Sequence, residues 1–183
     1  LTLFVSGVYL EHMTHAESPL NYPKHLPGHA PRAAPLYTPE ERARRDATRW
    51  TLVQGILAPA QFLVFLVSLA LVIRYLVTGE GYAVATWSII AKTGVLYLIM
   101  VTGAIWEKVV FGQYLFARSF FWEDVVSFAV IALHTYYLWA LLTGSLGPTA
   151  LMVVALTAYA IYVVNAGQFV LKLRRARLDG GAA

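Results

Sequence analysis

Between Trp50 and Ile73 the chain carries no Asp, Glu, Lys or Arg, and between Val125 and Leu171 it again carries none. Runs of this length restrict the fold severely. About 20 consecutive apolar residues cross the hydrocarbon core of a bilayer as a helix, whereas a helix at a protein–water boundary needs a polar face. The first run is one span. The second is too long for one helix and breaks at Thr143-Gly144-Ser145-Leu146-Gly147-Pro148. A further apolar run follows the tight turn Thr78-Gly79-Glu80-Gly81 and contains one charge, Lys92. The expected fold is an all-α membrane protein, a four-transmembrane-helix bundle with spans at about 50–75, 82–107, 124–143 and 148–172.

Composition agrees. Only 13% of the residues are charged, against about 25% in soluble domains. There is no cysteine, which excludes disulfides, thiolate metal sites and cysteine nucleophiles. The basic residues lie at the ends of the apolar runs, so the net charge of +4 does not argue for nucleic acid. Their placement argues for topology. Arg42, Arg44, Arg45 and Arg49 precede the first span, Lys108 and Arg118 lie between the second and third, and Lys172, Arg174, Arg175 and Arg177 follow the fourth. The opposite turns carry only Arg74 at an edge. By the positive-inside rule, both termini and the central connection are expected to face the cytoplasm.

Residues 1–35 have a different character. Residues 1–10 are apolar but too short to span, and they lack the basic leader and cleavage site of a signal peptide. Met13 is an alternative start. His12, His15, His25 and His29 are interspersed with Pro19, Pro23, Pro27, Pro31 and Pro35 at spacings that match no common zinc pattern. A flexible cytosolic arm is the expectation here, and a frayed tail at 179–183. Order should begin at Leu36. Thr38-Pro39-Glu40-Glu41 reads as a helix start, with Thr38 as cap, Pro39 at the first helical position and Glu41 completing a capping box.

Chemistry concentrates in residues 103–127, which join the second and third spans. Glu107, Lys108, Arg118, Glu123 and Asp124 sit there among Trp106, Phe111, Tyr114, Phe116, Phe120, Phe121 and Trp122. Charges and aromatic rings also collect at any membrane interface, and Glu123 and Asp124 at a helix N-terminus suit its dipole. Other ionisable or polar groups lie deeper. Glu123 and His134 are about three turns apart and share a face. Asn165, Gln168 and Lys172 form a second stripe, beside Tyr162. Gln54 and Gln61 share a face of the first span, either for helix–helix hydrogen bonding or as a pocket wall. Lys92 could snorkel or pair with an acid on a neighbouring helix. Turned inward, these faces would form a polar pocket with aromatic walls. The chain has no phosphate loop, dinucleotide fingerprint, HExxH motif or nucleophile elbow. One intramembrane histidine is too few for a bis-histidine haem site. Acid–base chemistry or plain binding remains.

Several longer motifs are distinctive: Leu-Tyr-Thr-Pro-Glu-Glu-Arg from Leu36, Arg-Arg-Asp-Ala-Thr-Arg-Trp-Thr-Leu-Val-Gln from Arg44, and Ile-Trp-Glu-Lys from Ile105. Tyr-Leu-Phe-Ala from Tyr114, Phe-Phe-Trp-Glu-Asp from Phe120, Leu-His-Thr from Leu133 and Asn-Ala-Gly-Gln-Phe from Asn165 continue the series. In these the chain resembles the 3-vinyl (bacterio)chlorophyllide hydratases of bacteriochlorophyll biosynthesis, over about residues 36–178. The resemblance implies a hydro-lyase that adds water to the C3 vinyl group of chlorophyllide a or a bacteriochlorophyllide, giving a 1-hydroxyethyl group. It implies a multi-pass protein of the bacterial inner (intracytoplasmic) membrane, with its site facing the cytoplasm. Membrane lipid surrounds such a protein, and neighbouring pigment-biosynthesis enzymes or a second copy of the chain are partners it could meet. The substrate brings its own magnesium, so no protein metal or other cofactor is expected.

Hydration of a vinyl group needs a proton on the outer carbon and a hydroxyl on the carbon beside the ring. A carboxyl group taken out of water can stay protonated and donate. Glu107 and Glu123 are the candidate acids, and Asp124 or His134 the group that orients or deprotonates water. Asn165, Gln168 and Gln61 are candidates to hold ring carbonyls or that water. Lys108, Arg118 or Lys172 would meet the substrate propionate, and Trp106, Phe121 and Trp122 suit the faces of the macrocycle. Two other readings stay open. One is a non-enzymatic pigment-binding or assembly protein of the photosynthetic membrane, with His134 as an axial ligand to magnesium. The other is a small transporter or scaffold, for which an internal repeat would be expected and none is found.

Overall fold

The computed structural model describes residues 36–180, with side chains to Ala176. The arm at 1–35 and the end of the tail at 181–183 lie outside them. The described residues form five helices: α1 Pro39–Ala47, α2 Arg49–Thr78, α3 Tyr82–Phe111, α4 Phe121–Thr143 and α5 Pro148–Gly180. The last four are long and apolar enough to cross a membrane, with mean hydropathy of 2.5, 1.7, 1.8 and 1.8. At 30 residues each, α2 and α3 are about 45 Å long. That exceeds the hydrocarbon thickness of about 30 Å, so their ends reach the interface.

Local sequence sets the boundaries. Thr38 Oγ1 accepts the Glu41 N–H and Glu41 returns the bond to the Thr38 N–H, so the expected capping box starts α1. Thr48 ends α1 and caps α2 in one step. α2 continues through Pro59 as one helix. α3 stops at Gly112, whose φ of +85° carries no penalty only in glycine.

α2 and α3 pack as one hairpin and α4 and α5 as another. Contacts of α2 with α5 and of α3 with α4 close the bundle. Polar side chains fix the register. Trp106 Nε1 donates to Thr51 Oγ1 at 2.9 Å, Gln54 Nε2 donates to Thr102 Oγ1 at 2.8 Å, and the hydroxyls of Ser68 and Ser88 are bonded at 2.7 Å. Tyr159 of α5 reaches the same Ser68 at 2.6 Å, and Asn165 Nδ2 donates to Ser127 Oγ of α4 at 2.8 Å. Such bonds between spans are worth roughly 0.6 kcal/mol each, up to about 2.

The bundle is inverted relative to a protein built for water. Leu52, Leu63, Val67, Trp87, Leu142 and Val164 face outward, while Gln61, Lys92, Glu107, Glu123, Asp124 and His134 are buried. An exterior of this kind is stable in hydrocarbon. At the C-terminal end of α3 a second cluster forms, in which Tyr37, Val110 and Phe120 are buried against Trp106, Phe111 and Phe169. Tyr37 stacks on Phe111 with ring centroids 5.8 Å apart, and Arg44 Nε donates to Val110 O at 2.8 Å. These contacts seat Tyr37 and α1 against the connection between α3 and α4.

Candidate active site

The connection 112–120 folds back over the ends of α3 and α4. Its path requires Phe116 to adopt φ of +60°, a left-handed conformation that costs a non-glycine residue about 1–2 kcal/mol. The turn is held by what it binds. The Phe116 N–H donates to Asp124 Oδ2 at 2.6 Å and the next N–H, of Ala117, donates to Glu107 Oε2 at 3.2 Å. Hydrogen bonds to carboxylates are among the stronger ones. Ser119 Oγ donates to Leu36 O at 2.8 Å, tying the connection to the residues just before α1.

Three carboxyl groups meet under this cover. Glu107 comes from the last turn but one of α3, and Glu123 and Asp124 from the first turn of α4. All three are buried, at 6%, 6% and 4% exposure. Glu107 and Asp124 are neighbours in this cluster, each within electrostatic reach of the other and of Glu123. Two buried carboxyl groups that share a site resist ionising together and can hold one proton between them. Glu123 has a different partner: Lys172 Nζ of α5 lies 2.5 Å from its Oε2 and also donates to Ser119 O. The cluster therefore sets a carboxyl pair beside a carboxylate neutralised by an ammonium. Such a set can give a proton and take one.

The deeper candidates form a separate site. His134 lies about 16 Å along α4 from Glu123. Its Nδ1 donates to Val130 O at 2.7 Å, the carbonyl having no proton to give, and its Nε2 accepts from Lys92 Nζ at 2.8 Å. Among the described residues Lys92 pairs with no acid, and it does not snorkel. It is fully buried, beside His134 and over the Tyr162 ring at 4.2 Å. Both His134 nitrogens are thus occupied, leaving no lone pair for magnesium. Between the two sites, Gln61, Asn165 and Gln168 each present a buried amide oxygen without a protein partner. A buried acceptor left unpaired costs about 1–3 kcal/mol.

The remaining candidates lie at the rim. Trp106 is packed edge-on against Phe111 and Phe120, and its N–H is taken by Thr51. Lys108 is exposed and donates to Gly112 O at 2.7 Å. Arg118, Phe121 and Trp122 are exposed too. An apolar groove of about 280 Å³, lined by Leu63, Val64, Val67, Ser88 and Ala91, opens between α2 and α3. It offers no acid or base, so the carboxyl cluster and not the groove marks the chemistry.

Sequence reasoning missed the two loop N–H groups and the Lys92–His134 contact. The second had a signal. Lys92 is ten residues from the start of α3 and His134 nine from the end of α4, so antiparallel helices place them at one depth.

Comparison with known proteins bears on this site. The family model for 2-vinyl bacteriochlorophyllide hydratase matches residues 37–175, a range that includes every carboxyl described. The chain is 74% identical to the 2-vinyl bacteriochlorophyllide hydratase of Cereibacter sphaeroides over 149 residues, 81% of this chain and 92% of that one. It is 71% identical to the protein of the same name from Rhodobacter capsulatus over 147 residues, 80% of this chain and 85% of the other. No solved structure matches. With three quarters of the chain inside the family model and its polar interior entirely within the matched range, the protein belongs to the 2-vinyl bacteriochlorophyllide hydratase family.

Proposed function

We propose that this chain adds water to the vinyl group of chlorophyllide a or a bacteriochlorophyllide at the carboxyl end of the bundle. Hydratase activity in bacteriochlorophyll biosynthesis follows from family membership. The observation that carries the assignment of the site is the meeting of Glu107, Glu123 and Asp124 under the connection 112–120.

In this reading the proton held between Glu107 and Asp124 goes to the outer vinyl carbon. The cation formed beside the ring delocalises into the macrocycle. Water adds to that carbon and gives its proton to a carboxylate of the cluster, so the proton count of the enzyme is restored. Glu123, paired with Lys172, is the group that receives the proton from water, with Asp124 as its neighbour. General acid and base steps of this kind each contribute roughly 10²–10⁴ in rate. Lys108 and Arg118, exposed at the rim, meet the propionate. Phe121 and Trp122 meet the ring faces. Magnesium arrives with the substrate. His134, bonded to Lys92 and remote from the carboxyls, supports the bundle.

The charge distribution favours a cytoplasmic location for this end. Arg42, Arg44, Arg45, Arg49, Lys108, Arg118, Lys172, Arg174 and Arg175 all lie there, against Arg74 at the other end. The membrane is then the inner, photosynthetic membrane of a bacterium.

The test is an assay of membranes containing the chain with chlorophyllide a, followed by pigment extraction. Gain of one water mass and a blue shift of the red band is the expected result. Pigment that binds but is recovered unchanged would instead support the pigment-binding reading.

A further inference from the structure

Inward from the carboxyls, polar side chains recur at about one helical turn. On α4, Ser127 lies one turn below Glu123. On α5, Gln168 and Asn165 lie one and two turns below Lys172. α2 contributes Gln61. Phe65 packs on both Tyr159 and Tyr162, so Gln61, one turn nearer the start of α2 and the carboxyl cluster, stands at the depth of Asn165.

Three of these groups have an unmet need. Gln61 Oε1, Asn165 Oδ1 and Gln168 Oε1 are buried without a donor, and Gln61 and Asn165 are only 3% and 7% exposed. One N–H of the Asn165 amide is already given to Ser127 Oγ, and the open acceptor is its oxygen. A carbonyl oxygen needs a donor, and buried polar groups without a protein donor are the places where proteins hold internal water. The spacing fits. One turn is about 5.4 Å, close to twice a hydrogen-bond length of about 2.8 Å, which is the step a single bridging water spans.

We infer that Gln61, Asn165 and Gln168 bind a short line of water inside the bundle, and that this line supplies the water that reacts at the carboxyl cluster. The inference rests on the assignment of that cluster as the hydration site. A flat macrocycle seated over the carboxyls from the cytoplasmic side would exclude bulk water from that direction. Supply from within the bundle lets both reactants reach the carboxyls from different directions. The balance is simple. The oxygen of one stored water bonds to the carbon beside the ring, one of its protons passes to a carboxylate, and the carboxyl pair gives a proton to the outer vinyl carbon. Each turnover draws one water from the line.

The test is X-ray hydroxyl-radical footprinting of the full chain in lipid nanodiscs, which oxidises buried side chains that touch bound water. Tyr162 and Phe65 are the reporters, and Met152, fully buried and three turns from Tyr162, is the dry reference. Labelling of both reporters well above the rate of Met152, and its loss on Gln61→Leu, is the expected result. Reporters as protected as Met152 in the wild-type protein would overturn the water line, and this readout needs no variant and no turnover. The supply role is read from kinetics: Gln61→Leu lowers kcat by about tenfold, as loss of a positioned reactant does, with KM for chlorophyllide a unchanged. A normal kcat in that variant overturns the supply role. Absence of hydratase activity in the wild-type protein would instead overturn the assignment of the site, leaving the footprint intact.

Discussion

Lys92 Nζ lies 2.8 Å from His134 Nε2, deep within the bundle and with no carboxylate of the described residues beside it. Nδ1 of the same ring donates to Val130 O, which fixes the tautomer and makes Nε2 the acceptor. The pair joins α3 to α4, two helices with few other polar contacts. Tyr97 and Thr135 provide one, at 2.7 Å.

Removing one partner of this pair strands the other. His134→Leu leaves an ammonium buried without an acceptor, and should cost about 3 kcal/mol. Lys92→Met leaves an imidazole nitrogen unpaired and should cost about 1–3 kcal/mol. The double variant replaces both by apolar groups and should recover much of the loss, because a buried polar pair exchanged for packed apolar side chains is often near neutral. Thermal unfolding of the four proteins in detergent measures the coupling. The hydration rate of the double variant should stay close to that of the wild type. A collapse of that rate would return His134 to the reaction.

The carboxyl pair makes a different prediction. Glu107→Gln and Asp124→Asn keep the shape and an acceptor for the loop N–H groups, but neither amide can pass a proton. Each should lower the hydration rate by about 10²-fold or more with little change in melting temperature. Because the two act as a unit, the double variant should be little worse than the poorer single one. Multiplicative losses in a steady-state assay would show that they act separately.

The four spans were legible because absence of charge is a one-dimensional signal. The run 50–73 and the break at 143–148 become α2 and the α4–α5 turn without help from packing. Thr38 with Glu41 was equally local. The site was half legible. Glu107, Glu123 and Asp124 lie near helix ends that a short connection must bring together. Lys172 is remote in the chain, and its pairing with Glu123 depends on how α5 packs against α4. Sequence reasoning therefore offered Lys172, with Lys108 and Arg118, as an alternative partner for a substrate propionate, and its bonds to Glu123 and Ser119 O were not foreseen. The left-handed turn at Phe116 had no local signal, since no glycine marks it. It exists because two consecutive N–H groups find carboxyl oxygens there.

The Lys172–Glu123 pair allows stability and activity to be separated. Lys172→Met leaves Glu123 without its countercharge. Breaking a fully buried pair costs about 3–5 kcal/mol. The Lys172 side chain is 22% exposed, so roughly half of that is expected. Adding Glu123→Gln should restore most of the stability, because no buried charge remains. It should not restore hydration, because the proton acceptor is gone. Unfolding curves and pigment assays on the same three preparations check this. A double variant with wild-type activity would remove Glu123 from the reaction.

Tyr37 gives the last prediction, at the interface and outside the spans. Burial against Phe111 and Phe120 pushes its phenol pKa above the usual value, with Arg45, 4.8 Å from its ring, pulling the other way. The unfolded chain therefore releases this proton at a lower pH than the folded chain does. Where that holds, the folded state binds more protons, and stability falls as pH rises. The contribution is fully present below pH 10.0, the ordinary phenol value, and is lost as pH climbs through the raised folded value. Tyr37→Phe keeps the ring stack and removes the ionisation. Melting temperatures taken from about pH 8 to about pH 11 should fall further in the wild type than in this variant. The other tyrosines ionise alike in both proteins and cancel in the comparison. Equal falls would mean that Tyr37 is not held in the apolar seat formed by Phe111 and Phe120.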